Sequence, residues 1–410
     1  MSRATKWGAL VALLVAGTAI AAVAGTTGGK AAPAAKKPII IGWAYDNKGP
    51  MQPFDTPALA AARIEAAKIN KKGGVKGRKI VIKTCKTQGD DPTTSKTCAD
   101  KLIGEHANVI FTTCDVDLAS PVVQESLKHH LLTIAPCIGT DQMGPKRFGK
   151  PGKLAFSFGN VAQDEGSAMA ELAWKHGWKT ADLAKDTVIV YFKAVVSAFK
   201  ARFTQLGGKI NYETSYQDPA LQKGSTNFHN AASNIAQHPA KVIVTVTSGS
   251  YGAQLPFITD LRTAGVKTPV LNSWAGDGTY WLPTSGPKVT NYWYVTYANA
   301  FGHDPSKAVN SLAKKIGPVN AATGGFVTGP TAIDGLVTAI KRAHGSLKGS
   351  KLAAVMQKFH KVPTLSGKVS FSKKLHTVFG REYRVVEINN NKPIAKGTVV
   401  AKKVPNSPDS

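Results

Sequence analysis

The sequence predicts an α/β fold of two doubly wound lobes, each a parallel sheet with helices on both faces. Three observations carry this expectation. Short apolar runs alternate with helical patterns from Ile39 to Cys137, and the same alternation recurs from Gly166 to Asn272. The chain has 410 residues, 43% of them hydrophobic, which suffices for two cores.

Residues 39–42, Ile-Ile-Ile-Gly, form a short apolar run between breakers and read as a buried strand. Residues 56–71 place Leu59, Ala62, Arg63, Ala66 and Ile69 at helical spacing, and Gly73-Gly74 stops that helix. A second strand is expected at 79–85. Asp91-Pro92 opens a helix to about residue 105, with Asp91 as cap and Pro92 at its first position. A strand at 109–114, a helix opened by Ser120-Pro121 and a strand at 131–137 complete a β-α-β-α-β-α-β unit. Right-handed crossovers make such a unit a parallel sheet.

After an extended joint at 154–160, the second unit reads as helix 166–177, strand 187–191, helix 195–206, strand 209–216, helix 227–237, strand 241–247, helix 254–264 and strand 268–272. An extended stretch at 291–300 precedes helices at 305–316, 330–344 and 352–359. Strands at 383–388 and 397–400 close the chain. The late helices need a sheet to cover and the first unit has few helices of its own, so the chain is expected to cross back to it.

Arg3 and Lys6 precede an apolar run from Gly8 to Gly25, and Ala22-Val23-Ala24 fits a small-x-small cleavage site. That is the pattern of a secretory signal peptide. An uncleaved membrane anchor is the alternative, because the run is near the minimum spanning length. No Cys follows the run, so a lipid-anchored start is not supported, and no later segment is long and apolar enough to span a membrane. Export would place the chain in the periplasm or extracellular envelope, where disulfides persist.

The net charge is +27, from 52 Lys plus Arg against 25 Asp plus Glu. The basic residues are mostly scattered Lys, with no Arg-rich arm, zinc-finger spacing or aromatic-basic motif. Nucleic acid is therefore not an expected partner; anionic envelope polymers are the softer expectation.

All four cysteines, Cys85, Cys98, Cys114 and Cys137, lie beyond the signal. Their wide spacing argues against zinc, so no metal is expected. His129 and His130 fall at the opposite end of their strand from Cys137, which leaves a thiol nucleophile without a base. Disulfides fit better, with three pairings open. No nucleophile elbow, P-loop or paired-His motif appears. Neither an enzyme nor a cofactor is expected; an enzyme using Cys114 and Asp115 is the lesser alternative, and it would require a free thiol at Cys114.

Five segments together resemble the branched-chain amino acid binding family of type I periplasmic binding proteins. They are "AARIEAAKINKKGGVKGRKIVI", "QGDDPTTSKTCADKLI", "QLPFITDLRTAGVKTPVL", "GPTAIDGLVTAIKRAHG" and "LSGKVSFSKK", in that order between Pro38 and Val400. The resemblance implies two lobes joined by a three-stranded hinge, with ligand held in the cleft. It implies a monomer that passes a small-molecule ligand to an ABC permease. A ligand-sensing protein acting with a membrane receptor is the alternative. On that pattern the chain divides into a signal peptide (1–24), a flexible lead-in (25–37), an N-terminal lobe (38–157 plus 296–366), a C-terminal lobe (158–295 plus 367–404) and a tail (405–410).

In the family's sheet order the third and fourth strands are neighbours, close enough for a disulfide. The expected pairs are thus Cys85–Cys98 and Cys114–Cys137. The family's loop after the third strand offers hydroxyls and N–H groups to a ligand carboxylate. Here Asp115 and Asp117 stand there, and a carboxylate repels a carboxylate. Asp117 has a second reading, as a helix cap. Thr140 matches the family's hydroxyl position, Tyr251 its Tyr beside the ligand ammonium, and Asp277 its ammonium-binding acid. Tyr45, Asp46, Cys137 and Trp274 sit at strand ends or in loops on the same side and complete the expected ligand-binding set; for the aromatic residues, packing on the hinge or rim is the alternative.

Overall fold

The computed structural model describes residues 36–220 and 224–405. The expected signal peptide, nearly all of the lead-in and the end of the tail lie outside the described residues.

The chain opens with β1 (Ile39–Tyr45), α1 (Gln52–Lys71), β2 (Ile80–Lys86), α2 (Pro92–Gly104), β3 (Val109–Phe111), α3 (Val116–Lys128), β4 (Leu132–Ala135), α4 (Pro145–Phe148) and β5 (Ala155–Asn160). It continues with α5 (Ala162–Lys175), β6 (Thr180–Asp186), α6 (Val190–Gln205), β7 (Lys209–Tyr216), α7 (Asn227–Ala236), β8 (Val242–Val246), α8 (Gln254–Thr263), β9 (Val270–Asn272) and β10 (Tyr292–Thr296). Then come α9 (Lys307–Asn320), α10 (Thr328–Arg342), α11 (Gly349–Met356), β11 (Val362–Thr364), β12 (Gly367–Val369), β13 (Thr377–Val378), β14 (Tyr383–Asn389) and β15 (Lys392–Val399).

One sheet has the order β13-β5-β4-β3-β1-β2 and defines the first lobe. Its strands run parallel, with Ile41 opposite both Ile82 and Val109, and Val109 opposite Leu132. The second sheet, β15-β14-β10-β9-β8-β6-β7, defines the other lobe. It is parallel from β7 to β10, and β14 and β15 then add an antiparallel hairpin. Asn390 (φ 54°) and Asn391 (φ 61°) make the turn, since Asn tolerates the left-handed conformation that a two-residue hairpin needs.

The predicted α/β class and two-sheet layout are present, with four local differences. The strand expected at 187–191 is β6, which ends at Asp186. The Thr-Val-Ile-Val-Tyr run after it leads into α6: Ile189 and Tyr191 are buried at the cleft, opposite Met51 and Gly139, while Val188 and Val190 stay half-buried. The helix expected at Ser120 begins at Val116, with Asp115 as its cap and Pro121 in its second turn. The expected strand at 397–400 begins at Lys392, completing the hairpin. Finally, β13 pairs with β5 in the first lobe, so the last crossing between sheets falls between Val378 and Tyr383 and not at 367.

The late helices cover the first sheet. Buried faces of α1 (Ala58, Leu59, Ala62) and α10 (Ile333, Leu336, Ile340) share one core with Ile39, Ile41 and Phe111. At their crossing a Cβ on Gly329 would lie 1.9 Å from the Ala58 carbonyl oxygen, so only glycine lets the helices approach this closely.

The three crossings meet in a buried polar cluster. The Asn160 N–H donates to the Tyr297 hydroxyl oxygen (3.1 Å), and the Val161 N–H to the Val378 carbonyl (2.8 Å). Arg381, 3% exposed, sits 5.6 Å from the Tyr297 ring, and none of its guanidinium nitrogens has a hydrogen-bond partner among the described residues.

Candidate functional site

Loops after the parallel strands of both sheets face each other, as the chemistry of open α/β sheets dictates. Between them lies a cavity of about 20 Å³. That is room for little more than one water-sized sphere. The lobes are therefore shut, and any larger solute must enter through an opened form.

Met51, Phe54, Cys114, Asp115 and Gly139 form the first lobe's wall. Aromatic rings dominate the opposite wall: Tyr191, Phe192, Tyr251 and Trp274, with Ile189 and Ser248 beside them. The walls touch. Phe54 meets Trp274 edge-on at 4.8 Å between centroids. The Ser250 hydroxyl donates to the Pro50 carbonyl (2.7 Å). A Cβ on Gly139 would stand 2.6 Å from the Tyr191 ring, so this position must stay bare for the lobes to meet.

Buried carboxylates build the first wall. Asp46 accepts backbone N–H groups from Lys48, Gly49, Met51 and Gly89 at 2.8–3.0 Å, folding the loop after β1. Asp55 accepts from the Asp46 N–H (2.7 Å) and the Cys114 N–H (3.0 Å), tying two strand ends together. Asp90 accepts from the Thr87 and Thr113 hydroxyls. Burial, reinforced by Asp90, pushes the Asp55 carboxyl well up, and burial takes Asp90 to about 7.

Asp115 is both cap and cleft residue: its Oδ1 accepts from the Asp117 N–H (2.8 Å) and the Leu118 N–H (3.2 Å). Burial and then neighbouring Asp117 raise its carboxyl to about 7. The cap read onto Asp117 thus belongs to Asp115. Asp117 instead accepts from Arg147 Nη1 (2.7 Å) and, across the cleft, from the Val190 N–H (2.9 Å).

On the second wall the Tyr251 hydroxyl and Trp274 Nε1 are buried without hydrogen-bond partners among the described residues. Glu165, on α5, holds that wall from behind: it accepts from the Tyr191 hydroxyl and the Trp274 N–H, both at 2.8 Å. Burial lifts its carboxyl to about 8, which favours the protonated form near neutral pH. Tyr297 lies behind Trp274 at 5.0 Å and connects this wall to the hinge cluster.

The remaining expected site residues are placed as follows. Tyr45 is half-buried against the first lobe's core and does not line the cavity. Thr140 is buried; its carbonyl accepts from the Thr377 hydroxyl and its own hydroxyl has no partner among the described residues. Asp277 is occupied by the Thr296 hydroxyl (2.5 Å) and the Gly324 N–H (2.6 Å), away from the cavity lining. Cys137 is bonded to Cys114, and Cys85 to Cys98, with Cα separations of 4.8 and 5.4 Å. Asp55 lies near Cys114 and Cys137, but those sulfurs are bonded to each other and offer no thiolate to a metal. Sequence reading missed Met51, Phe54, Ile189 and the supporting Glu165; Tyr191, Phe192 and Ser248 fall in segments expected at strand ends beside the cleft but were not singled out.

Residues 38–393 match the family model described as periplasmic binding protein. The chain belongs to that family. A Leu/Ile/Val-binding protein, BraC3, of Rhizobium johnstonii is 22% identical over 356 residues, covering 83% of this chain and 89% of the relative. A Leu/Ile/Val-binding protein homolog of Brucella melitensis is 22% identical over 344 residues, with the same coverage. Among solved structures, the leucine-binding protein LivK of Thermotoga maritima superimposes with a TM-score of 0.73 at 16% identity, covering 88% of this chain and 98% of that one. A solute-binding protein of Rhodopseudomonas palustris in complex with 4-hydroxybenzoate gives 0.74 at 18% identity, covering 90% and 98%. This periplasmic binding protein is a solute binder and not an enzyme, and its family implies export. No helix among the described residues is long and apolar enough to cross a membrane.

Proposed function

We propose that this periplasmic binding protein serves an ABC importer, capturing a small polar ligand, an amino acid or a related compound, and delivering it to a membrane permease as a monomer. The observation that carries the reading is the shut cleft: two walls from separate sheets meet ring to ring, and Asp117 bridges them. Hinge closure of this kind buries a ligand between lobes and changes the outer surface that a permease can read. Asp115, Tyr251 and Trp274 are the proposed ligand contacts, because they line the cavity and two of them keep unpaired polar atoms there.

The test is a melting-temperature and tryptophan-fluorescence screen over amino acids, amines, amides and aromatic acids. A ligand of the folded form raises the melting temperature by mass action, and Trp274 should report it. Saturable binding with the compound recovered unchanged is expected. Turnover of the bound compound, or silence across the whole panel, would overturn the reading.

A further inference from the structure

The charge pattern inside the cleft runs against that of the chain. The protein as a whole is strongly basic, at +27. Yet among the described residues no Lys, Arg or His lines the cavity. Arg147, which pairs with Asp117, also gives Nη1 to Gln142 (2.9 Å) and is not a lining residue. Among the described residues the one carboxylic acid or basic side chain in the lining is Asp115.

Behind the lining, further carboxyl groups of both lobes act on the Tyr251 side chain. Asp115 and Asp90 from the first lobe, and Asp186 and Asp218 from the second, all act on the Tyr251 phenol, which burial first and then their fields push well above its usual range. Around this point stand the faces and edges of Phe54, Tyr191, Phe192, Tyr251 and Trp274. Phe192 packs on Tyr251 at 5.4 Å, and Tyr191 on Trp274 at 6.4 Å.

A carboxylate ligand would be desolvated here beside Asp115 with no cation among the described lining residues to meet it, a costly arrangement. Aromatic rings with a nearby carboxylate suit the opposite charge, because ring faces attract cations once water is excluded. Trp274 Nε1 and the Tyr251 hydroxyl remain as donors for one neutral acceptor on the same molecule.

Resting on the solute-binding reading, we infer that the cleft takes a small organic cation, an amine or quaternary ammonium with an apolar body and no carboxylate, its charge held between Asp115 and the aromatic wall. Four groups set the charge around Asp115: Asp117 on its own helix, Asp90 after β2, Tyr251 from the facing lobe, and Arg147 through Asp117. Asp117 and Asp90 disfavour a second negative charge, and the Tyr251 phenol stays neutral.

The test uses one skeleton in three charge states: phenethylamine, phenylalanine and phenylacetate, with choline as a permanent cation and leucine as reference. Binding is read by calorimetry and Trp fluorescence on the oxidised protein. At least one cation should bind roughly tenfold or more tighter than phenylalanine, phenylacetate and leucine. Its affinity should rise from pH 6 to pH 8 as Asp115 ionises. Asp115→Asn should weaken it roughly ten- to hundredfold, with the fold intact because Asn caps helices as well as Asp. Tighter binding of leucine, phenylalanine or phenylacetate overturns the inference and leaves the solute-binding reading standing. Failure of both cations to bind also overturns it. The solute-binding reading falls only if the wider panel is silent as well.

Discussion

The Asp117 carboxylate of the first lobe lies 2.9 Å from the backbone nitrogen of Val190 in the second. Val190 is the first residue of α6, whose own preceding residue, Ile189, supplies no side-chain cap. One lobe therefore caps a helix of the other, with the partial positive charge of the α6 N-terminus facing an acid. The contact spans the cleft, so parting the lobes would break it.

Asp117→Ala should shift the lobes toward the open form. Losing a cap costs about 1 kcal/mol, so ligand affinity should fall by roughly fivefold. Melting of the unliganded protein should barely change. Small-angle scattering with and without ligand, together with calorimetry, checks this; unaltered affinity would remove Asp117 from the closing machinery.

Gly139→Ala should hold the lobes apart. The new methyl would stand 2.6 and 2.8 Å from two Tyr191 ring atoms. Affinity should drop on the order of tenfold, in line with the 1–3 kcal/mol typical of overpacking. The double variant Gly139→Ala, Tyr191→Leu should recover part of the loss, because a smaller, unringed side chain relieves the contact.

Removing either disulfide by paired Cys→Ser substitution should destabilise the protein by about 3 kcal/mol in the chain-entropy model. Guanidinium unfolding measures it. Alkylation of the native oxidised protein should find no reactive thiol at Cys85, Cys98, Cys114 or Cys137.

Stability should fall as pH rises from about 5 to about 8.5. Asp90, Asp115 and Asp277 are raised to about 7 and Glu165 to about 8, in each case chiefly by burial. In the unfolded chain these acids release their protons near pH 4. Between those limits the folded form binds more protons than the unfolded, so raising pH favours unfolding. Melting curves across this range test the sign. Glu165→Gln, which mimics the protonated acid, should flatten the upper part of the slope.

The sequence carried the architecture because alternation of apolar runs with helical periodicity is a local signal. Asp91 and Pro92 start α2 at the expected place. The cleft was only half legible. Tyr251, Trp274 and Asp115 follow strands, so their location could be read from strand ends. Ile189 could not, since a β-branched run that seals a cleft looks like the interior of a strand, and Tyr191 was legible only as the end of that expected strand, not as part of α6. Phe54 sits in the first turn of a helix whose periodicity points to core packing. Glu165 is a mid-chain helix acid whose partners, Tyr191 and Trp274, are distant in sequence. Asp277 lay in the loop where an ammonium-binding acid was expected, yet it is satisfied by Thr296 and Gly324.

The crossing strands show how such a protein can move without tearing. Two backbone-anchored bonds, Asn160 to Tyr297 and Val161 to Val378, pin the pivot. Around them the contacts are between ring systems: Tyr297 tilted 37° against Trp274 at 5.0 Å, Tyr297 stacked on Tyr383 at 6.2 Å, and the Arg381 guanidinium, without a hydrogen-bond partner among the described residues, near the same ring. Ring faces can slide over one another through a range of angles with little change in energy, whereas a directional bond snaps at one. The pivot therefore behaves as a greased bearing with two pins, and Tyr297, touching both the ligand wall and the axle, makes every turn of the lobes felt at Trp274.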